Sequence, residues 1–267
     1  MFTSYWEMEF NPFAKDYSGK HSFESNDFRQ ATARLKHLCE MKGLGLVTGN
    51  AGFGKTYVVK KFADSLNPAL YKVLYLPLST VTVQEFYRAL AIGLGISPPH
   101  KKIDLFNSIQ ERILSLSKDK RITTVIFCDE AQYLNTKILN DLKIILSFNM
   151  DSENHAAFIL SGQPVLANTL SITAHEALAQ RILINYSFNG LARNEMTEYI
   201  DSKLKVCGVR QNMFADNALE ALWACCGGSP RVVNSLAEKC LIIGMQKNVR
   251  NIDPEIVMFA SSEISLI

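Results

Sequence analysis

The stretch "LVTGNAGFGKTYVV", residues 46–59, decides how the whole chain is read. Its first residues complete the apolar run "LGLVT" (44–48), and its last ones open "TYVVKKFADSL", where apolar residues recur at helical spacing. Between them stand Gly49, Gly52 and Gly54, followed directly by Lys55 and Thr56. The pattern predicts a buried strand, a glycine turn and a helix in immediate succession.

Glycines let the backbone fold back so that successive N–H groups point at one spot, and the following helix adds its positive amino-terminal end. Gly49, Gly54, Lys55 and Thr56 satisfy GxxxxGK[ST] in the strand and helix context that this motif requires. The stretch therefore reads as a phosphate-binding loop, with Lys55 reaching the β and γ phosphates and the Thr56 hydroxyl taking a Mg²⁺ position. A second element agrees with it. "TTVIFCDEAQYL" (123–134) places Asp129 and Glu130 at the carboxyl end of an apolar strand, where a ligand sits in open α/β sheets. Asp129 is expected to hold Mg²⁺ through water, and Glu130 to polarise the water that attacks the γ-phosphate.

Working outward, "KVLYL" (72–76), "AAFIL" (156–160) and "ILINYSF" (182–188) join these two runs as short strands, separated by helical patterns such as "VQEFYRALAIGLG" and "IDLFNSIQERILSLS". Such alternation predicts a parallel sheet with helices on both faces. After Gly190 four helical patterns follow without a strand, so the expected division is an α/β nucleotide domain over residues 1–190 and a small all-helical domain over 191–267. The 267 residues carry 48% hydrophobic and 20% charged residues and a net charge of +2, an ordinary globular composition that points to no particular partner. No apolar run approaches the roughly 20 residues of a membrane span, and the amino terminus has no basic-then-apolar leader, so a cytoplasmic protein is expected. The six cysteines show no CxxC spacing and are expected to be reduced thiols.

Three more positions complete the pattern. Gln163, in "FILSGQP", follows the fourth strand, where it could sense the γ-phosphate or hold the attacking water, with Ser161 as the competing choice. Arg181 stands immediately before the fifth strand. Arg231, in "GGSPRVVN", sits at the first turn of a helix, against the helix dipole, and is expected to have an anionic partner.

With these residues in view, the chain resembles the AAA+ ATPases over nearly its whole length. The resemblance implies Walker A at Gly49–Thr56, Walker B at Asp129 and Glu130, sensor 1 at Gln163, a box VII arginine at Arg181 acting in trans within an oligomer, sensor 2 at Arg231, and a sheet order 5-1-4-3-2 with a helical lid. Nucleotide contacts are expected from Gly49, Asn50, Ala51, Gly52, Phe53, Gly54, Lys55, Thr56 and Tyr57. Asn11, Pro12 and Phe13 are similar to the segment that closes over adenine. Phe53 and the Asn50-Ala51 pair depart from the family's common residues without removing a backbone donor. "NTKILND" (135–141) lacks the spacing and position of a guanine-specific segment, so ATP with Mg²⁺ is the expected cofactor.

Within the family, "FNPFAKDYSGKHSFESNDFRQATARLKHLCEMKGLGLVTGNAGFGKT" (10–56), "LSGQPVL", "LAQRI" and "GGSPRVVN" are similar to the ExeA-like branch. That branch includes secretion ATPases of the cell envelope and stand-alone transposition helpers similar to MuB and TnsC, which polymerise on DNA with ATP and present it to a transposase. A chain ending just after the lid fits the second kind. The expected partners are therefore double-stranded DNA without sequence preference, a transposase, and further copies of the chain in a ring or filament, with no membrane. A secretion-associated ATPase and a non-hydrolysing ATP switch or loader are the alternatives. The candidate DNA contacts are Lys101, Lys102, Lys118, Lys120, Arg121, Lys247 and Arg250, as a modest stripe repeated along an oligomer.

Overall fold

The computed structural model describes residues 2–14, 23–77, 80–149 and 152–264. Residues 15–22 of the opening stretch that is similar to the ExeA-like branch lie outside them. Two compact units result, one from Gln30–Asn50 and Lys55–Phe188, the other from Met1–Arg29, Ala51–Gly54 and Asn189–Ile267.

The first unit holds one parallel sheet of β1 (Gly43–Gly49), β2 (Tyr71–Leu76), β3 (Thr123–Cys128), β4 (Ala156–Gly162) and β5 (Ile182–Phe188), in the order β2-β3-β4-β1-β5. This is the expected order 5-1-4-3-2. All residues of β1 and β4 are buried, as befits central strands covered on both faces. β2 and β5 alternate buried with exposed or half-buried residues, which corrects the reading of all five strands as buried runs. The reason is their place at the two edges of the sheet.

The connections are α3 (Lys55–Ser65), α4 (Val83–Gly93), α5 (Lys102–Leu114), α6 (Thr136–Ile145), α7 (Pro164–Leu170) and the short α8 (Glu176–Ala179). Thr82 starts α4 with a reciprocal cap: its hydroxyl accepts from the Glu85 amide while the Glu85 carboxylate accepts from the Thr82 amide. One continuous core joins Leu44 and Leu46 of β1, Ile126 of β3 and Phe158 of β4 to Phe86, Ile109 and Leu142 of the helices.

The second unit is helical, with α9 (Arg193–Val206), α10 (Asp216–Cys226), α11 (Pro230–Gln246) and α12 (Pro254–Ile264), preceded in the chain by α1 (Phe2–Tyr5). Its boundaries differ from a cut near 190. Trp6, Met8 and Phe13 belong to its core, the Trp6 indole donates to Leu241 O at 2.8 Å, and Gly244 leaves room for that ring, since a Cβ there would lie 2.8 Å from Trp6 Cζ2. The long helix α2 (Asn26–Met41) begins in this unit and continues into the other. All six cysteines are free, and Cys128 is buried in β3. Among the described residues, no helix is long and apolar enough to cross a membrane.

Candidate functional site

The glycine loop leaves β1 and enters α3. Gly52 and Gly54 take φ of +82° and +92°, which side chains rarely adopt. Gly49 is small for another reason: it pairs with Phe188 of β5, whose Cβ would lie 2.7 Å from an added Cβ. Lys55, 6% exposed, donates its Nζ to Gly49 O at 2.7 Å and Asn50 O at 3.0 Å. Its ammonium is therefore held at the first residues of the loop.

Strand parity gathers the next residues. In the parallel register Tyr75 of β2 pairs with Phe127 of β3, and Phe127 pairs with Ile159 of β4, so Tyr75, Asp129 and Ser161 fall on one side of the sheet. Asp129, 4% exposed, is ringed by donors. Its Oδ1 accepts from Ser161 Oγ at 2.9 Å and the Glu130 amide at 3.0 Å, while its Oδ2 accepts from Thr56 Oγ1 at 2.8 Å and the Tyr75 hydroxyl at 2.9 Å. Burial of the hydroxyl and its bond to Asp129 push the Tyr75 phenol well above its ordinary range, so it stays a donor.

Glu130 is turned out by a left-handed backbone, φ 49° and ψ 37°, and is exposed. Gln132, which the sequence did not single out, bonds it: Gln132 Nε2 donates to Glu130 Oε2 at 2.5 Å, and Gln132 Oε1 accepts from the Gln163 amide at 3.1 Å. Gly162 makes the arrangement possible, because a Cβ there would stand 2.6 Å from Gln132 Oε1. Gln163 itself caps α7 by backbone position, without a side-chain cap bond. Of the two candidates, Ser161, the penultimate residue of β4, is thus the one whose side chain bonds Asp129.

The other predicted residues make contacts of their own. Arg181 donates to Lys143 O at 2.6 Å and Ser147 Oγ at 2.8 Å, at the carboxyl end of α6. It precedes β5, whereas the glycine loop follows β1, so in parallel strands the two stand at opposite ends of the sheet. Arg231 is exposed in the first turn of α11 and makes no salt bridge among the described residues; its amide approaches Gly52 O at 3.4 Å. Asn11 binds Glu238 through Nδ2 at 2.6 Å, Pro12 O accepts from Lys203 Nζ at 2.7 Å, and Phe13 is 3% exposed. These contacts tie the segment into the helical core, and no face of Phe13 is left for a base to stack on.

The helical unit also holds an open cavity of about 720 Å³, lined by Phe23, Asn26, Asp27, Gly190, Leu191 and Trp223 among others. Asp27 fixes its wall by accepting the Asn189 and Gly190 amides, both at 2.9 Å, and the buried Trp223 indole N–H has no partner among the described residues. Gly190 is also close to the loop residue Phe53, whose Cε2 would lie 3.4 Å from an added Cβ. Of the basic candidates, Lys102 pairs with Asp141 at 2.6 Å, Lys118 pairs with Glu153 at 3.0 Å, Lys247 lies over Phe259, and Arg250 lies over Tyr5. Lys101, Lys120 and Arg121 are exposed.

Magnesium fits the donor set that the structure shows. A hydroxyl and a buried carboxylate, already 2.8 Å apart beside the turn, are the hard oxygen ligands this ion takes together with phosphate and water.

Residues 39–170 match the family model described as an AAA domain. General secretion pathway protein A of Aeromonas hydrophila is 28% identical over 271 residues, covering 99% of this chain and 49% of that protein, so the chain spans about half the length of this curated relative. Among solved structures, Cdc6p of Pyrobaculum aerophilum superimposes with a TM-score of 0.68 at 16% identity, covering 94% of this chain and 70% of that one. The Aeropyrum pernix ORC1 protein in complex with DNA gives 0.64 at 16% identity, covering 95% and 68%. The fold, a five-stranded parallel α/β sheet followed by a helical portion, is thus shared with these solved structures, and residues 39–170 of it resemble an AAA domain.

Proposed function

We propose that this protein binds ATP with Mg²⁺, hydrolyses it in an oligomer, and uses the cycle to switch its grip on DNA. The observation that carries the nucleotide reading is the 2.8 Å bond between Thr56 Oγ1 and Asp129 Oδ2 beside the glycine turn. Thr56 would ligate the metal and Asp129 would hold it through water, Lys55 faces the phosphates, and Glu130, oriented by Gln132, polarises the attacking water. Arg231, whose amide lies 3.4 Å from Gly52 O of the glycine loop, answers the phosphate charge. Arg181 stands about 20 Å along the sheet from the loop of its own chain, the length of a seven-residue strand. It therefore acts on the nucleotide of a neighbouring subunit, in a ring or filament.

Substitution tests the cycle directly. Lys55→Ala should abolish nucleotide binding, and Glu130→Gln should bind ATP normally while turnover falls at least a hundredfold. Wild-type turnover in Glu130→Gln would refute the assignment of the base and favour a non-hydrolysing switch.

The use of the cycle has two readings. As a transposition helper, the protein coats duplex DNA without sequence preference, through exposed Lys101, Lys120 and Arg121 repeated along the oligomer, and recruits a transposase; the similar fold of the ORC1 protein solved with DNA supports this. Similarity to General secretion pathway protein A over 99% of the chain favours the second, a secretion-associated ATPase. Co-sedimentation with duplex in the presence of a slowly hydrolysed ATP analogue separates them. An ATP-dependent complex weakened by salt supports the first, and its absence from low to moderate salt supports the second.

A further inference from the structure

We infer that Tyr75 is a positioning residue for the magnesium-holding carboxylate of Asp129. This rests on the MgATP reading above and adds a residue that lies outside both nucleotide motifs. Asp129 Oδ2 accepts from two hydroxyls, Thr56 at 2.8 Å and Tyr75 at 2.9 Å, while Oδ1 is held by Ser161 and the Glu130 amide. The carboxylate is thus fixed in orientation from both ends, and one donor on Oδ2 comes from a phenol on the edge strand β2.

Core packing does not explain that side chain. Tyr75 is 47% exposed, whereas its neighbours Leu74 and Leu76 on the opposite side of the strand are buried at 3% and 7%. Only the hydroxyl reaches inward. Thr56 and Asp129 are the protein groups that would hold the metal, and a threonine hydroxyl that ligates through a lone pair keeps its proton, so Thr56 and Tyr75 would both still donate to Oδ2. A tyrosine hydroxyl retained on that oxygen keeps the carboxylate from swinging towards solvent. Partners of this kind behind a metal ligand are commonly worth 10–100-fold in metal affinity.

The test is Tyr75→Phe, which removes one oxygen and keeps the half-exposed ring. Binding of a fluorescent ATP analogue is followed by anisotropy across a Mg²⁺ titration, alongside thermal unfolding of the ligand-free protein. The expected result is a half-saturating Mg²⁺ concentration raised roughly 10–100-fold, with metal-free nucleotide binding and the unfolding temperature as in wild type. Tyr75→Leu should shift the Mg²⁺ titration equally. An unchanged Mg²⁺ titration in Tyr75→Phe overturns the inference, and so does a fall in unfolding temperature with the titration unmoved, which would make the hydroxyl structural. A wild type whose nucleotide binding ignores Mg²⁺ would instead remove the MgATP reading, and this inference with it.

Discussion

Gly52 and Gly54 sit two residues apart in one loop, yet the structure predicts different penalties for giving each a methyl group. At Gly54 an added Cβ meets nothing within 4 Å, so Gly54→Ala suffers only from φ of +92°. Holding an L-residue in such a region costs about 1–3 kcal/mol. If the loop relaxes to escape that strain, the penalty appears as nucleotide affinity lowered by roughly 5- to 150-fold. At Gly52, with φ of +82°, the methyl would also stand 2.6 Å from Ser229 Oγ and 3.1 Å from Arg231 Cβ. The serine hydroxyl can rotate away, but the arginine Cβ is fixed to the first turn of α11. Gly52→Ala should therefore lose more affinity than Gly54→Ala, and Ser229→Gly in the same chain should recover part of the difference. Isothermal titration with a non-hydrolysable ATP analogue measures the series, with thermal unfolding of the free proteins as control. Wild-type affinity in Gly54→Ala, or equal affinities for the two alanine variants, would refute the reasoning.

Removing the side chain that orients Glu130 gives a second test: Gln132→Ala should bind ATP as wild type but turn over roughly tenfold more slowly, the worth of one hydrogen bond to a charged group; steady-state kinetics read the split. Mixing Arg181→Ala with Lys55→Ala protein should restore part of the ATPase activity that each lacks alone, because some mixed interfaces pair an intact loop with an intact arginine; no recovery in a titration of one into the other would place Arg181 in its own subunit's chemistry or in structure alone. Lys203 supplies a pH test. Burial holds its ammonium down at about 8, so the folded state binds that proton less readily than the unfolded chain does. Stability should consequently rise as pH increases from about 8 towards the ordinary lysine range, and thermal unfolding of Lys203→Met should lack that rise.

What was legible in the sequence was whatever depends on local pattern. The five strands lie where the apolar runs predicted, "TTVIFC" and "ILINYSF" to the residue, and the two motifs that carry Thr56 and Asp129 could be read before their 2.8 Å bond was seen. The choice between Ser161 and Gln163 required the register of β3 against β4, because two polar residues two positions apart project from the same strand end and only distance separates them. Tyr75 was hidden for the same reason. Its alternation with Leu74 and Leu76 could be read, but which residue of β3 lay beside it could not. Gln132 looked like one more polar residue after a strand, and nothing local says that Gly162 is small to admit it. The opening segment was assigned by position in the chain, whereas Trp6 and Phe13 pack with helices more than 170 residues further on, a pairing that composition does not encode.

The place of β2 at the rim of the sheet has a consequence for how this protein would fail under heat. Outer strands exchange their amide hydrogens sooner than inner ones, because their opening breaks a single ladder. β2 carries the phenol on Asp129, so fraying of that rim would loosen the carboxylate while β1, bonded on both sides, stays closed. Warming should then erode magnesium-dependent chemistry several degrees before circular dichroism registers any melting, and exchange mass spectrometry should find the earliest deuterium uptake of the sheet in its two edge strands, residues 71–76 and 182–188.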